Sequence, residues 1–305
     1  MSRAARLTAF SGLDGVRVVE RDVPEPGAGE VRVRVLVAGV HPLEALIAAG
    51  GIPFATPPLV LGAVGAGEVE TDGATFRAGD RVAILGNELG MVMDGIWADH
   101  AVVPERLLAA IPPGLDLAVA AAAGIAFPTA VLAVDQAGVA PGGTLLVLGA
   151  SGAVGAAAVQ VAVRAGLRVT GVSRTAAGAA FAARHGAEHT VDLSAVALDA
   201  AAAELAPDGF DGVVDPVGGA VTGAAIKTLA PGGAHVVLGY SAGFTADVFL
   251  PDVVNFGRRL EGCNMNVRGP EGLRAAEEQS LAGLASGDYT VQIAQTFPLE
   301  AFAEA

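Results

Sequence analysis

Gly149-Ala150-Ser151-Gly152-Ala153-Val154-Gly155 directly follows the apolar run Thr144-Leu145-Leu146-Val147-Leu148 and leads into Ala153 to Arg164, a stretch rich in alanine and valine. The run reads as a buried strand and the stretch as a helix. A glycine loop at that junction lets the backbone turn tightly and approach a pyrophosphate, whose charge meets the free N–H groups and positive dipole end of the helix. In a chain with 42 glycines the spacing alone is weak evidence. Its place between a strand and a helix gives it weight.

Reading outward, strands and alanine-rich helices alternate: a strand over Arg168 to Val172, a helix over Ala176 to Arg184, a strand over Gly212 to Val214, a helix over Val221 to Leu229 and a strand over His235 to Leu238. This alternation predicts right-handed βαβ units and an α/β domain with a doubly wound parallel sheet. The second strand ends in Ser173-Arg174, about twenty residues beyond the last motif glycine, where an acid normally holds a free ribose 2′-hydroxyl. No acid stands there. Ser173 and Arg174 can instead meet a 2′-phosphate, so the expected coenzyme is NADPH rather than NADH.

The first hundred residues differ in character. Val16 to Val19, Val31 to Val40, Arg81 to Leu85 and Ala98 to Val103 read as short strands, the second alternating apolar and charged residues as a half-exposed strand does, with Pro24, Pro26, Gly27 and Gly29 marking a turn. The expected division is a β-rich module over 1–117, a dinucleotide-binding domain over 118–254, and a return to the first module over 255–305. A chain of 305 residues fits two domains at roughly 100 to 200 residues each. Its 52% hydrophobic and 16% charged residues support a large core and exclude disorder.

Scarcity excludes several chemistries. With 18 basic and 32 acidic residues the net charge is −14, which repels the phosphate tracks of nucleic acid. Cys263 is the only cysteine, so neither a disulfide framework nor a multi-cysteine zinc site is available. Lys227 is the only lysine, and the residues four beyond Tyr240 and Tyr289 are Phe244 and Ile293, so the Tyr-x-x-x-Lys pair of short-chain dehydrogenases is absent. Met1 to Phe10 carries two arginines without a following apolar block, which argues against an export signal. The charge-free stretches Leu117 to Val134 and Gln136 to Val163 are broken by Gly124, Pro128, Pro141, Gly142 and Gly143. They read as buried helices and strands of a soluble protein, not as membrane spans, and the single cysteine fits a reducing, cytoplasmic setting.

Over nearly its full length the chain resembles a medium-chain dehydrogenase/reductase of the zinc-independent quinone oxidoreductase branch. The resemblance rests on Pro24-Glu25-Pro26 to Glu30-Val31, Ala38-Gly39-Val40-His41-Pro42, Phe76-Arg77-Ala78-Gly79-Asp80-Arg81-Val82, Thr129-Ala130, the phosphate loop, Asp211-Gly212-Val213-Val214-Asp215-Pro216-Val217-Gly218-Gly219 and Leu229-Ala230-Pro231-Gly232-Gly233. It implies a GroES-like β-rich catalytic domain built from both chain ends, a Rossmann domain between them, and a cleft for the nicotinamide. Zinc relatives place a cysteine near Val40-His41 and a His-Glu pair after a glycine, where this chain reads Gly62-Ala63-Val64. Neither those ligands nor a four-cysteine lobe is present, so the resemblance implies a mechanism without metal.

Departures from the branch bear on the substrate. The family's Asn-Pro-x-Asp segment and following tyrosine correspond to His41-Pro42-Leu43-Glu44 and Leu46, and a basic residue often found at the 2′-phosphate corresponds to Gly178. Relatives also continue through a helix and a last strand beyond Phe297-Pro298-Leu299-Glu300, where this sequence ends at Ala305.

The resemblance implies hydride transfer from NADPH to a quinone or to the β-carbon of an enone. Negative charge then develops on the acceptor oxygen, where a donor would help. The coenzyme residues it implies are Thr129, the loop Gly149, Ser151, Gly152, Ala153, Val154 and Gly155, the pair Ser173 and Arg174, and Val217, Gly239 and Tyr240. Tyr240 and His41 are the candidate proton donors, each with a plainer alternative in packing or loop capping. Glu44 reads as a solvated or structurally paired carboxylate, Trp97, Phe54 and Phe127 as walls of an apolar pocket or as core, and Cys263 as buried filler. A homodimer through the edge of the Rossmann sheet is expected. A non-catalytic NADPH-binding sensor and a reductase of a biosynthetic intermediate are the alternatives.

Overall fold

The computed structural model describes every residue except Asn87, and the chain divides into two units, residues 1–125 with 277–305 and residues 126–276. Both divisions fall later than the composition shifts at 117 and 254.

The first unit is antiparallel. Strands β1 (Ser2–Leu7), β2 (Val16–Arg21) and β4 (Leu59–Val60) form one sheet in the order β2-β1-β4. Strands β3 (Glu30–Ala38), β5 (Gly65–Val69), β6 (Arg81–Ile84), β7 (His100–Pro104) and β8 (Leu108–Ala110) form a second in the order β7-β3-β5-β6-β8. The alternation in β3 has the expected result: Val31 and Val33 are fully buried beside Val82, Ile84, Val103 and Leu108, while Arg34 faces solvent and pairs with Glu68 at 3.1 Å. Fully burying a side chain of this size contributes about 1.5–3 kcal/mol. Two helices, α1 (Pro42–Ala48) and α2 (Leu117–Ala123), complete this part. The chain's last residues belong to the same unit: Leu299 and Phe302 pack on the core around Leu7, Ile47, Leu61 and Trp97, and Glu300 accepts from Arg3 at 2.6 Å.

The second unit holds α3 (Ala126–Ala137), β9 (Thr144–Val147), α4 (Ala153–Arg164), β10 (Arg168–Ser173), α5 (Ala176–Arg184), β11 (His189–Asp192), α6 (Leu198–Leu205), β12 (Phe210–Asp215), α7 (Ala220–Lys227), β13 (Leu229–Val237), α8 (Leu250–Val254) and β14 (Arg259–Gly262). A further helix, α9 (Gly269–Ser286), leads back to the first unit. Six parallel strands run in the order β11-β10-β9-β12-β13-β14. The order reverses between β9 and β12, which makes the carboxyl ends of these two strands the switch point where ligands of doubly wound sheets bind. Leu145, Leu146 and Val147 of β9 are fully buried, as a central strand covered on both faces must be.

Two boundaries differ from the sequence reading. Leu229 starts β13 instead of ending the preceding helix, because it pairs with Phe210 across an irregularity that absorbs Pro231 and Gly232. Residues 255–276 stay with the second unit because β14 adds a parallel sixth strand beside β13. Both charge-free stretches are core helices and strands, and no single helix among the described residues is long and apolar enough to cross a membrane.

Candidate active site

The phosphate loop leaves β9 with its backbone still in the sheet: Leu148 N–H donates to Val214 O at 3.0 Å and Ala150 N–H to Val172 O at 2.9 Å. Gly149 then turns through a left-handed conformation, φ +57°, where a side chain would also meet Val217 Cγ2 at 2.6 Å. Gly152 N–H closes the turn on Gly149 O at 2.8 Å. Gly152 caps α4 without any side-chain hydrogen bond, and the first intrahelical bond is from Ala156 N–H to Gly152 O, so α4 begins with its leading amides free of side-chain caps. Ser151, Gly152 and Ala153 are exposed around that helix head. A tight turn, uncapped amides and no obstructing side chain fit a diphosphate.

At the tip of β10, Ser173 is buried, and its Oγ has no hydrogen-bond partner among the described residues. Arg174 beside it is exposed and forms no ion pair among the described residues. The carboxylate in register on the next strand, Asp192, is engaged elsewhere, accepting from Ser194 N–H at 2.9 Å and Ser194 O–H at 2.7 Å. The buried position of Gly178 also has a physical reason. A Cβ there would lie 2.9 Å from Ser173 Cβ and 3.0 Å from Ser151 Oγ, so the two serines occupy the space through which a basic side chain would have to leave.

The turn after β12 carries Val217, half-buried against Gly149. Val217 O accepts from Ala242 N–H at 2.9 Å, which draws the segment after β13 alongside. In that segment Gly239 is half-buried and Tyr240 is 51% exposed, its ring 5.1 Å from Phe244 at an interplanar angle of 34°. Thr129, on α3, is buried and its hydroxyl donates to Met265 Sδ at 3.0 Å. The loop glycines, Ser173, Arg174, Val217, Gly239, Tyr240 and Thr129 therefore all lie in the second unit, and all but Thr129 lie at or just past the carboxyl ends of its strands.

His41 lies in the first unit, where it caps the short helix α1 ahead of Pro42. Burial pushes its imidazole down to about 4, so near neutral pH it is uncharged and has an N–H but no imidazolium proton to give. Glu44 is buried, not solvated, and pins this turn: one oxygen accepts from His41 N–H at 2.9 Å and the other from Ala63 N–H at 3.3 Å. Burial pushes the Glu44 carboxyl up while these backbone donors oppose it. Trp97 is core, its indole N–H donating to Gly39 O at 3.0 Å; Phe127 is buried in the other unit and Phe54 is exposed. Ala63 and Val64 are buried and apolar, and among the described residues no three His, Cys, Asp or Glu side chains gather as a metal-binding group.

One cluster escaped the sequence reading. Asp215 at the end of β12 gathers donors from Thr222, His235, Val217 and Gly218 in the interior. A lone histidine within the apolar strand Ala234-His235-Val236-Val237 was the available signal.

Residues 27–113 match the alcohol dehydrogenase GroES-like domain and residues 153–280 the zinc-binding dehydrogenase domain. A quinone oxidoreductase of Pseudomonas aeruginosa is 30% identical over 315 residues, covering 100% of this chain and 95% of the relative. The chain belongs to the medium-chain dehydrogenase/reductase superfamily, in its quinone oxidoreductase-like branch. Within this superfamily, a solved NAD-dependent alcohol dehydrogenase is similar with a TM-score of 0.88 and 30% identity, covering 99% of this chain and 94% of that one. A zinc-type alcohol dehydrogenase-like protein of Schizosaccharomyces pombe is 34% identical over 54% of this chain, a match spanning 50% of that relative. The two units correspond to the GroES-like and Rossmann-like domains of the superfamily.

Proposed function

We propose that this medium-chain reductase transfers hydride from NADPH to a quinone or an α,β-unsaturated carbonyl without zinc. The observation that carries the reading is the glycine loop at the switch point, together with the strand tip beside it, where a buried Ser173 hydroxyl and an exposed Arg174, both without a partner among the described residues, stand in place of an acid.

When bound, the nicotinamide supplies the hydride. The chain's residues bind and orient it. Amides of Ala153, Val154 and Gly155 would meet the pyrophosphate, with Ser151 and Gly152 leaving its approach open. Arg174 and Ser173 would hold the 2′-phosphate, Arg174 by charge and Ser173 by a hydroxyl that gains a partner. Val217, Gly239 and Tyr240 would line the coenzyme. Thr129, whose hydroxyl is engaged by Met265, would contribute packing at the nicotinamide. As hydride arrives the acceptor oxygen becomes negative, and the exposed Tyr240 phenol would donate to it. His41, uncharged near neutral pH, offers only a neutral N–H.

We also propose a dimer and a cytoplasmic setting for this protein. A second copy pairs along the free edge of β14, where Arg259, Leu260 and Gly262 are exposed. The protein works in the cytoplasm, where its buried, unpaired Cys263 stays reduced.

The deciding experiment follows NADPH oxidation with 1,4-benzoquinone and with a small enone, beside NADPH and NADH binding by calorimetry. Turnover with either acceptor and tighter NADPH binding are expected. Tight NADPH binding without turnover would favour a non-catalytic coenzyme binder, and tighter NADH binding would remove the role given to Arg174.

A further inference from the structure

Asp215 and His235 lie on neighbouring strands in the middle of a sheet whose other residues are largely aliphatic, and neither side chain has any exposure. Asp215 Oδ2 accepts from Thr222 O–H at 2.6 Å and faces His235 Nε2 at 3.0 Å. Its Oδ1 accepts from Val217 N–H at 2.8 Å and Gly218 N–H at 2.9 Å. Burial alone would raise this carboxyl; His235, Thr222 and Gly218 outweigh it and hold Asp215 below the usual carboxylate range.

Such a buried pair adds little stability that a well-packed aliphatic pair would not, since desolvation offsets the attraction. What it does provide is direction. Two successive amides of one turn converge on one oxygen while the other oxygen is anchored to α7 and β13, so the turn has one orientation. That turn touches both halves of the coenzyme region. Val217 lies against Gly149 of the phosphate loop, and Gly218 comes so close to the next segment that a Cβ on it would be 2.7 Å from Tyr240 Cα.

We propose that Asp215 and His235 are positioning residues: through Oδ1 of Asp215 they set the Val217–Gly218 turn, and this turn holds the phosphate loop and the Tyr240 segment in the register that binds the coenzyme. The proposal rests on the coenzyme reading given above. It treats the hydrogen bond from His235, not the bulk of its ring, as the part that matters.

The test compares wild-type protein with His235→Leu, His235→Gln and Thr222→Val by NADPH calorimetry, thermal melting, and KM for NADPH and kcat with benzoquinone. Leucine removes the donor, whereas glutamine returns an amide N–H near the position of Nε2. Losing a hydrogen bond to a charged group should raise the NADPH Kd and KM about tenfold in His235→Leu with kcat much less affected, while His235→Gln stays within about threefold of wild type. Coenzyme affinity equal to wild type in His235→Leu, with only a lower melting temperature, would overturn the proposal, as would equal losses in the leucine and glutamine variants. Should His235→Leu not fold, Thr222→Val removes a donor from the same oxygen, and unchanged NADPH affinity there overturns it equally. If wild type binds neither coenzyme, the coenzyme reading itself falls; if wild type binds and no variant differs, only the positioning role does.

Discussion

Gly155 and the carbonyl oxygen of Gly149 approach with no room for a side chain between them: a Cβ on Gly155 would lie 2.2 Å from that oxygen and 2.9 Å from Ala150 Cα. Both neighbours are backbone, so neither can rotate away. Gly155→Ala must push α4 off the loop or distort the turn, and overpacking of this kind costs about 1–3 kcal/mol. Gly152 is the internal control, because a Cβ there meets only Gly149 O, at 3.3 Å, and its φ of −82° suits any residue. Thermal melts should show a larger drop for Gly155→Ala than for Gly152→Ala, whose added methyl group leaves the fold alone but stands in the approach of the diphosphate and should lower coenzyme affinity at an unchanged melting temperature. Wild-type behaviour of Gly155→Ala would mean that the close packing is not required.

Arg174 is exposed, and the proposed function has it act on the coenzyme and not on the fold. Arg174→Ala should weaken NADPH binding by about tenfold or more, the worth of a charge-assisted contact, and leave NADH binding and melting temperature unchanged. The paired titrations check it. An equal loss for both coenzymes would place Arg174 at the pyrophosphate instead of the 2′-phosphate, and no loss for either would leave it a solvated surface charge.

The parts of this architecture that the sequence reveals are those where burial and local pattern agree. β9 is buried on both faces and reads as an unbroken apolar run; α4 is alanine-rich and starts at a glycine; Ser173-Arg174 stands where spacing from the loop puts it. β14 is illegible for the opposite reason: Arg259-Leu260-Glu261-Gly262 is an edge strand with little burial, so nothing in its side chains reports the ladder it makes with β13. Pairing alone defines it. Glu44 shows a second kind of blindness, since its burial depends on Ala63 arriving from a distant part of the chain to offer an N–H. The Asp215 cluster is a third, because its donors come from β13, α7 and the turn between β12 and α7, and only the parallel register brings His235 beside Asp215.

The buried turn at His41 predicts an acid-side loss of stability. His41 takes up a proton below about 6.5 when unfolded but not until about 4 when folded. Between those values the unfolded state binds more protons, so this group's contribution falls as the pH is lowered from about 6.5 to about 4 and is constant outside that window. Glu44 acts with the opposite sign: burial raises its carboxyl, and its cost to the fold lessens as acid protonates it. His41→Asn keeps a good helix-capping residue and Glu44 while removing the imidazole. The melting temperature of wild type minus that of His41→Asn should therefore decrease as the pH drops from 7 to about 4.5. A difference that stays flat across this range would show that the imidazole is not shielded from solvent.

Tyr240 is where packing and chemistry can be separated by one oxygen atom. Its ring rests 5.1 Å from Phe244, and the segment is fastened by Gly243 N–H to Tyr240 O at 3.1 Å and Ala242 N–H to Val217 O at 2.9 Å, none of which involves the phenol. Tyr240→Phe keeps all three contacts, so melting temperature and NADPH affinity should match wild type. If the phenol donates to the oxygen that turns negative during hydride transfer, kcat should fall by about 10²-fold, the usual contribution of a placed acid or oxyanion donor. The loss should be deeper with an enone, whose enolate oxygen is strongly basic, than with benzoquinone, whose hydroquinone oxygens are weaker bases and draw less from a donor. Unchanged kcat with both acceptors removes Tyr240 as a donor and leaves water to supply the proton; a loss confined to NADPH affinity would make it a ribose contact instead.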